Sequence, residues 1–369
     1  MRLMALGDET IGQVVAKTIF TSDGRALIKA GTVLTAKLQT ALRSWGYAQI
    51  YIQDELFPDL PSDADIGDET RRVALTSFRE VVKGLERSKI TDIGPLKSTI
   101  EGMIADIQDN PQSLFYLSSL KTTDDITFTH SINVAVISLL LGQNQYLPRE
   151  MLLKLGIGAL LHDVGKTRIP LEILNKPDKL TPEEYESAKE HTLLGYQLLN
   201  RETTGLSPLS TNVALAHHER LDGSGYPRQI KGDEIHLFSK IVAVADVWDA
   251  LISKRQYREE WSPFEAAEYL REGAGTLFHP EIVGHLFKRM ALFPVGSIVR
   301  LSDGRLGVVT DQQPLDPEHP PVSIVADREN RLIAPGPVAL TWEADLYVKS
   351  VLNRYPPEIE RKLNARGTP

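Results

Sequence analysis

The stretch Leu160-Leu161-His162-Asp163-Val164-Gly165-Lys166 decides how the rest of the chain is read. It closes an apolar segment, Met151 to Leu161, whose leucines and isoleucine recur at helical spacing. Gly165 is a natural C-terminal stop. A helix end in an apolar setting thus carries a histidine, a carboxylate and a lysine together. Neighbouring residues on a helix diverge by about 100°, so His162 and Asp163 would not aim at one point. They suit two adjacent cations instead, because a carboxylate has two oxygens and can bridge. Lys166, three residues past Asp163, returns toward the same face and brings a positive charge suited to a phosphate. A helix C-cap with a solvated His-Asp-Lys turn fits the same seven residues, so the remaining chain must decide.

The chain has 369 residues, which sets a prior of two or three domains. A hydrophobic fraction of 42% and a charged fraction of 24% are those of an ordinary globular protein. The net charge of −8 speaks against a protein built to coat DNA or an anionic membrane. There is no cysteine, which removes disulfides and thiolate zinc sites and suits a reducing cytoplasm. Met1 to Thr10 shows no basic start followed by an apolar core, so no signal peptide is expected. The longest apolar run, around Ile132 to Leu141, is far short of the ~20 residues a membrane span needs. Any metal must be held by His, Asp and Glu, which suits iron, manganese or zinc.

Taken in order, residues 1–58 read as a small α+β module. Val14-Val15-Ala16 with Ile19-Phe20 reads as a strand, Ser22-Asp23-Gly24-Arg25 as a hairpin turn, and Ala26-Leu27-Ile28 as the returning strand. Thr35 caps a helix to Trp45, and Gln49 to Ile52 forms a further strand. Residues 59–121 are a linker and helical connector, whose apolar stripes suit core packing or a dimer seam. Residues 122–292 form the all-helical heart. There Thr127 to Val134 opens a helix bearing His130, the helix capped by Thr181 carries His191, and Thr211 to Glu219 carries His217 and His218. Asp246 and Asp249 lie in the apolar helix Ser239 to Ile252, where a carboxylate is costly unless paired or on a metal. Residues 293–350 read as a small β barrel or sheet, and residues 351–369 as a tail, charged and partly frayed from Pro356 to Pro369. The expected fold is multidomain: a central all-α domain flanked by the α+β module and the β appendage.

The helical region gathers His130, His162, Asp163, His191, His217, His218 and Asp246, five of the chain's nine histidines among them. With the runs Leu161 to Lys166, His217-His218-Glu219-Arg220-Leu221-Asp222-Gly223-Ser224-Gly225-Tyr226-Pro227 and Val244 to Leu251, it resembles the HD-GYP subgroup of HD-domain phosphohydrolases. Residues 1–58 are similar, more weakly, to a module often fused to that subgroup. The resemblance implies a cytoplasmic bacterial signalling enzyme with two divalent ions, iron or manganese. It would hydrolyse cyclic di-GMP to pGpG, and in some members on to GMP, through a water acidified between the metals. By the same resemblance His130 and His162 bind one side, Asp163 bridges, Asp246 completes the first site, and His191, His217 and His218 hold the second. Lys166 stands beside the scissile phosphate. Arg255 and Arg258 match residues that grip phosphate or guanine, and the Gly225-Tyr226-Pro227 turn either packs Tyr226 on the domain or lets it shape the pocket or dock diguanylate-cyclase-domain partners. A homodimer is compatible with this reading; DNA and membrane are not expected partners.

The chain also departs from the family pattern. Ile126 stands where three-metal members carry a Glu, so two metals are expected, with Asp124 or Asp125 nearby. Lys240 replaces an arginine, His236 a proline, and His279-Pro280 the usual Asp-Pro. Two other readings remain: an HD hydrolase of another nucleotide, and a cyclic di-GMP sensor or scaffold without turnover.

Overall fold

The computed structural model describes residues 1–20, 26–44, 47, 49–54, 56–58, 60–61, 68–86, 92–109, 126–176, 178–201, 205–253, 261–314, 316–338, 340, 346–352 and 354–366. The N-terminal part holds β1 (Arg2–Ala5), β2 (Ile19–Phe20), β3 (Ala26–Ile28), α1 (Ala36–Ser44) and β4 (Gln49–Ile52). β1 pairs antiparallel with β4, and β2 with β3. Met4, Val15, Leu34, Leu42 and Ile52 close a small core of their own. Val14 and Val15 make only isolated bridges, to Val33 and Ile52, so the expected strand there is shorter than its apolar run. The Asp-Gly turn expected at Ser22 to Arg25 lies outside the described residues, and β1 was not anticipated.

Two connector helices follow, α2 (Asp68–Glu86) and α3 (Gly94–Asp109). Leu75, Phe78, Val81, Leu85, Leu96, Ile100, Met103 and Ile107 all enter the main core. Their stripes are thus core packing, the first of the two uses expected. The helical body continues with α4 (Ile126–Asn144), α5 (Arg149–Leu161), α6 (Leu171–Leu174), α7 (Pro182–Lys189), α8 (His191–Leu199), α9 (Pro208–Ala216), α10 (Leu237–Ile252), α11 (Pro263–Glu272) and α12 (Pro280–Phe287). α4 and α5 are apolar on nearly every side because α2, α3, α9, α10 and α12 enclose them.

The C-terminal part is β5 (Ile298–Leu301), β6 (Leu306–Val309), β7 (Val322–Ala326), β8 (Leu332–Val338), β9 (Val348–Leu352) and α13 (Pro357–Arg366). Among the described residues the five strands form one open antiparallel sheet in the order β8-β7-β6-β5-β9, so of the two forms expected the sheet is the one seen. One face, with Val299, Leu301, Val309 and Ile324, joins the helical core. The other, with Ile298, Leu306, Val308 and Val325, is covered by Tyr355, Ile359 and Phe57. Ile359 sits on α13 and is fully buried, so this helix docks on the sheet. Among the described residues no helix is long and apolar enough to cross a membrane.

One close approach positions the site. At Gly158 of α5 a Cβ would stand 2.8 Å from Val213 Cγ2 and 2.9 Å from the Ser210 carbonyl oxygen, on α9. The two helices therefore meet backbone to backbone, and Ser210 Oγ donates to Lys154 O at 2.7 Å. Both helices end at the histidines described next. Gly158→Ala should destabilise the protein by roughly 1–3 kcal/mol through overpacking. Gly284→Ala, a helical position facing open space, should leave the thermal unfolding midpoint unchanged or raised. Differential scanning calorimetry of the two variants checks this.

Candidate metal centre

Helix ends carry most of the candidate ligands. His162 is the C-cap of α5 and His217 that of α9. Asp163 begins the 3-10 turn Val164–Arg168, and Asp246 lies inside α10. His191 opens α8 rather than continuing the helix that starts at Thr181, as the sequence had implied. Glu190 separates α7 from α8. The physical reason lies next to the break, where the His191 ring donates to the Ala188 carbonyl from Nδ1 at 2.7 Å. Side-chain capture of a helical carbonyl competes with the backbone ladder.

The same anchoring recurs. His162 Nδ1 lies 2.7 Å from Ala159 O, and His217 Nδ1 3.1 Å from both Val213 O and Ala214 O. A carbonyl only accepts, so each Nδ1 carries the proton and each Nε2 presents a lone pair. His130 is anchored through a carboxylate instead, its Nδ1 standing 2.7 Å from Asp249 Oδ2. All four Nε2 atoms face the two aspartates. His130 Nε2 lies 3.1 Å from Asp246 Oδ1 and 3.8 Å from Asp163 Oδ2. His162 Nε2 is 3.3 Å from Asp163 Oδ2 and 4.0 Å from Asp246 Oδ1. On the other side of Asp163, its Oδ1 is 3.4 Å from His191 Nε2 and 3.7 Å from His217 Nε2. His218 Nδ1 stands 3.9 Å from Asp246 Oδ2. The seven residues expected from the sequence are thus brought together.

The donor set fits divalent cations. His191 Nε2 and His217 Nε2, both lone pairs, face each other at 3.5 Å with no proton between them. The buried His162 Nε2 and Asp163 Oδ1 make no hydrogen bond. Orphaned buried polar atoms are costly, and a cation relieves all of them at once. Two overlapping groups emerge, His130 with His162 and Asp163, and Asp163 with His191, His217 and His218. Asp163 belongs to both, one oxygen per group, as a bridging carboxylate would.

Protonation suits this use. Burial pushes His191 down to about 4, despite the attraction of Asp163. Burial likewise lowers His217 and His218, leaving neutral rings able to ligate. Burial would raise the Asp163 carboxyl, but Lys166 and His162 outweigh it and hold the group well below its usual range. Asp246 is held low in the same way, mainly by His130. His130 is raised to about 9, because Asp246 and Asp249 overcome the effect of burial.

The rim is partly described. Lys166 Nζ pairs with Asp163 Oδ2, its side chain 31% exposed and so within reach of a ligand. The Tyr226 ring stacks on His218, with centroids 4.6 Å apart and planes at 29°. Glu219, buried and not assigned from sequence, accepts from the Arg228 backbone N–H at 2.8 Å and ties that loop down. Asp249 was likewise passed over, although it lies three residues after Asp246 on one helix face. His236 caps α10 by accepting from Phe238 N–H, and His279 precedes α12 as its N-cap residue without a side-chain cap bond. Arg255, Arg258, Asp124 and Asp125 lie outside the described residues.

Residues 106–282 match the family model described as HD domain. A cyclic di-GMP phosphodiesterase of Pseudomonas aeruginosa is 34% identical over 258 residues, 68% of this chain and 62% of that protein. A 3′3′-cGAMP-specific phosphodiesterase of Vibrio cholerae is 42% identical over 123 residues, 33% of this chain and 24% of that protein. The chain thus spans less than two thirds of either relative. A solved structure described as an HDG"Y"P protein from Bdellovibrio bacteriovorus superposes with a TM-score of 0.52 at 18% identity, covering 77% of this chain and 98% of that one, a likeness of fold. Residues 106–282 thus form an HD domain, and the motif set there is that of the HD-GYP subgroup.

At Gly165 a Cβ would stand 1.9 Å from the His191 carbonyl oxygen, so only glycine lets the Asp163 turn touch the start of α8. Gly165→Ala should part Asp163 from His191 and lose most of the bound metal. Elemental analysis of variant and wild type, purified together without oxygen, measures it.

Proposed function

We propose that this protein is a metal-dependent phosphodiesterase that hydrolyses cyclic di-GMP to pGpG. The observation that carries the reading is the convergence of four Nε2 atoms, each on a ring anchored through Nδ1, on two carboxylates, with a lysine at the rim. His130, His162, Asp163 and Asp246 would hold one divalent ion, and Asp163, His191, His217 and His218 a second, iron or manganese by donor type. When bound, such a pair supplies Lewis-acid charge that acidifies water and offsets phosphate charge. The ligands carry two negative charges against the four positive charges of two such ions. The centre is then cationic and suited to an anionic phosphodiester.

The chain's own residues supply the positioning. Lys166 would leave Asp163 for a non-bridging phosphate oxygen and stabilise the charge that develops there. Water adds to phosphorus, the bond to the 3′-oxygen breaks, and that oxygen takes a proton, giving a linear dinucleotide with a 5′-phosphate. The Tyr226 face offers a flat wall beside His218 against which a guanine can lie. The N-terminal α+β part is read as the subgroup's accessory module. The similarity to a 3′3′-cGAMP-specific enzyme favours one second reading, hydrolysis of a mixed cyclic dinucleotide at the same centre.

Incubation with manganese or iron under nitrogen and a panel of cyclic dinucleotides tests the proposal. Conversion of cyclic di-GMP to pGpG is expected. Hydrolysis of 3′3′-cGAMP with cyclic di-GMP untouched would support the second reading, and binding without turnover a sensor. Asp163→Ala should lose metal and activity together. Lys166→Ala should keep its metal and lose about 10²-fold or more in kcat. An unchanged kcat would remove its assigned role.

A further inference from the structure

A buried polar chain runs from the connector to the metal centre. Arg71, on α2, is 3% exposed and lies outside the segment that matches the HD-domain model. Its Nη1 donates to Asn133 Oδ1 at 3.2 Å. Asn133 Nδ2 donates to Asp249 Oδ1 at 2.8 Å. Asp249 Oδ2 accepts from His130 Nδ1 at 2.7 Å and from Ser253 Oγ at 3.4 Å. His130 Nε2 then faces Asp246 and Asp163.

Each link fixes the next. A guanidinium has no acceptor, so Asn133 must turn its oxygen to Arg71 and its amino group to Asp249. A carboxylate offers no donor, so both Asp249 oxygens accept, and His130 must carry its proton on Nδ1. Without Arg71 the Asn133 amide is free to flip, and its oxygen would then repel Asp249. The spacing is regular: His130 and Asn133 lie three apart on α4, and Asp246 and Asp249 three apart on α10, so the two pairs lie across a helix–helix contact.

We infer that Arg71 is a positioning residue for the metal centre: through Asn133 and Asp249 it fixes His130, so the seating of α2 sets how tightly the His130 side holds its cation. This rests on the reading that His130 is a ligand. Outer partners of ligating histidines typically change metal affinity about 10–100-fold when removed.

The test titrates manganese(II) into chelator-stripped full-length protein and follows free manganese by EPR, without any activity assay. Wild type should bind two equivalents. Arg71→Met should weaken one equivalent about tenfold and leave the other within about twofold. Arg71→Lys, which still donates to Asn133, should recover most of the loss. Asn133→Asp and Asp249→Asn should each weaken the same equivalent. The double variant restores a donor facing an acceptor at every link and should bind better than either single one. Unchanged binding in Arg71→Met overturns the inference. So does an equal loss at both equivalents that tracks a lowered unfolding midpoint and is not relieved by lysine. No manganese uptake by wild type would defeat the metal reading itself, and the inference with it.

Discussion

Two imidazole lone pairs face each other across 3.5 Å in a buried helical core, His191 against His217, beside two aspartates that burial alone would neutralise. Without a cation that arrangement is repulsive and poorly solvated. The rest of the helical body serves to hold it. α4, α5, α9 and α10 pack closely enough that their ends and inner faces meet at one point. The Nδ1 anchors on Ala159, Ala188, Val213 and Asp249 then leave the rings little freedom to turn away. Stability and function oppose each other here, because the same burial that strengthens charge on a bound ion makes the ion-free centre unfavourable.

Much of this was legible in the sequence because ligand chemistry is conspicuous in an apolar setting. Histidines and aspartates inside runs such as Gly156 to Val164 and Ile241 to Leu251 have few structural reasons to be there. The helical body and the C-terminal strands β5 to β7 followed from such local signals, while the assignment of the seven side chains as ligands came from the resemblance to the HD-GYP subgroup. The break between α7 and α8 did not, since it depends on a ring seizing the Ala188 carbonyl rather than on a proline or glycine. β8 was hidden by Pro335 and Pro337, which argue against a central strand; the structure places it at the sheet edge, where a missing N–H costs little. α13 was not anticipated within the charged tail, because its charge is local and its docking partner, the far face of the sheet, is not.

The partners of the ligands were the least legible. Asp249, Asn133, Glu219 and Arg71 are polar residues whose value lies in what they touch after folding. A sequence shows Asp249 as one more carboxylate in a helix, not as the acceptor that sets the tautomer of His130. Arg71 is separated from His130 by 59 positions and sits in a segment that read as a connector. Its burial against Asn133 makes that connector part of the centre's support.

The central claim is that two cations share Asp163. Anomalous diffraction from crystals grown without oxygen in manganese tests it directly. The account predicts two peaks, on the order of 3.5–4 Å apart, one bounded by His130, His162 and Asp246 and the other by His191, His217 and His218. A single peak, or none between His191 and His217, would contradict it.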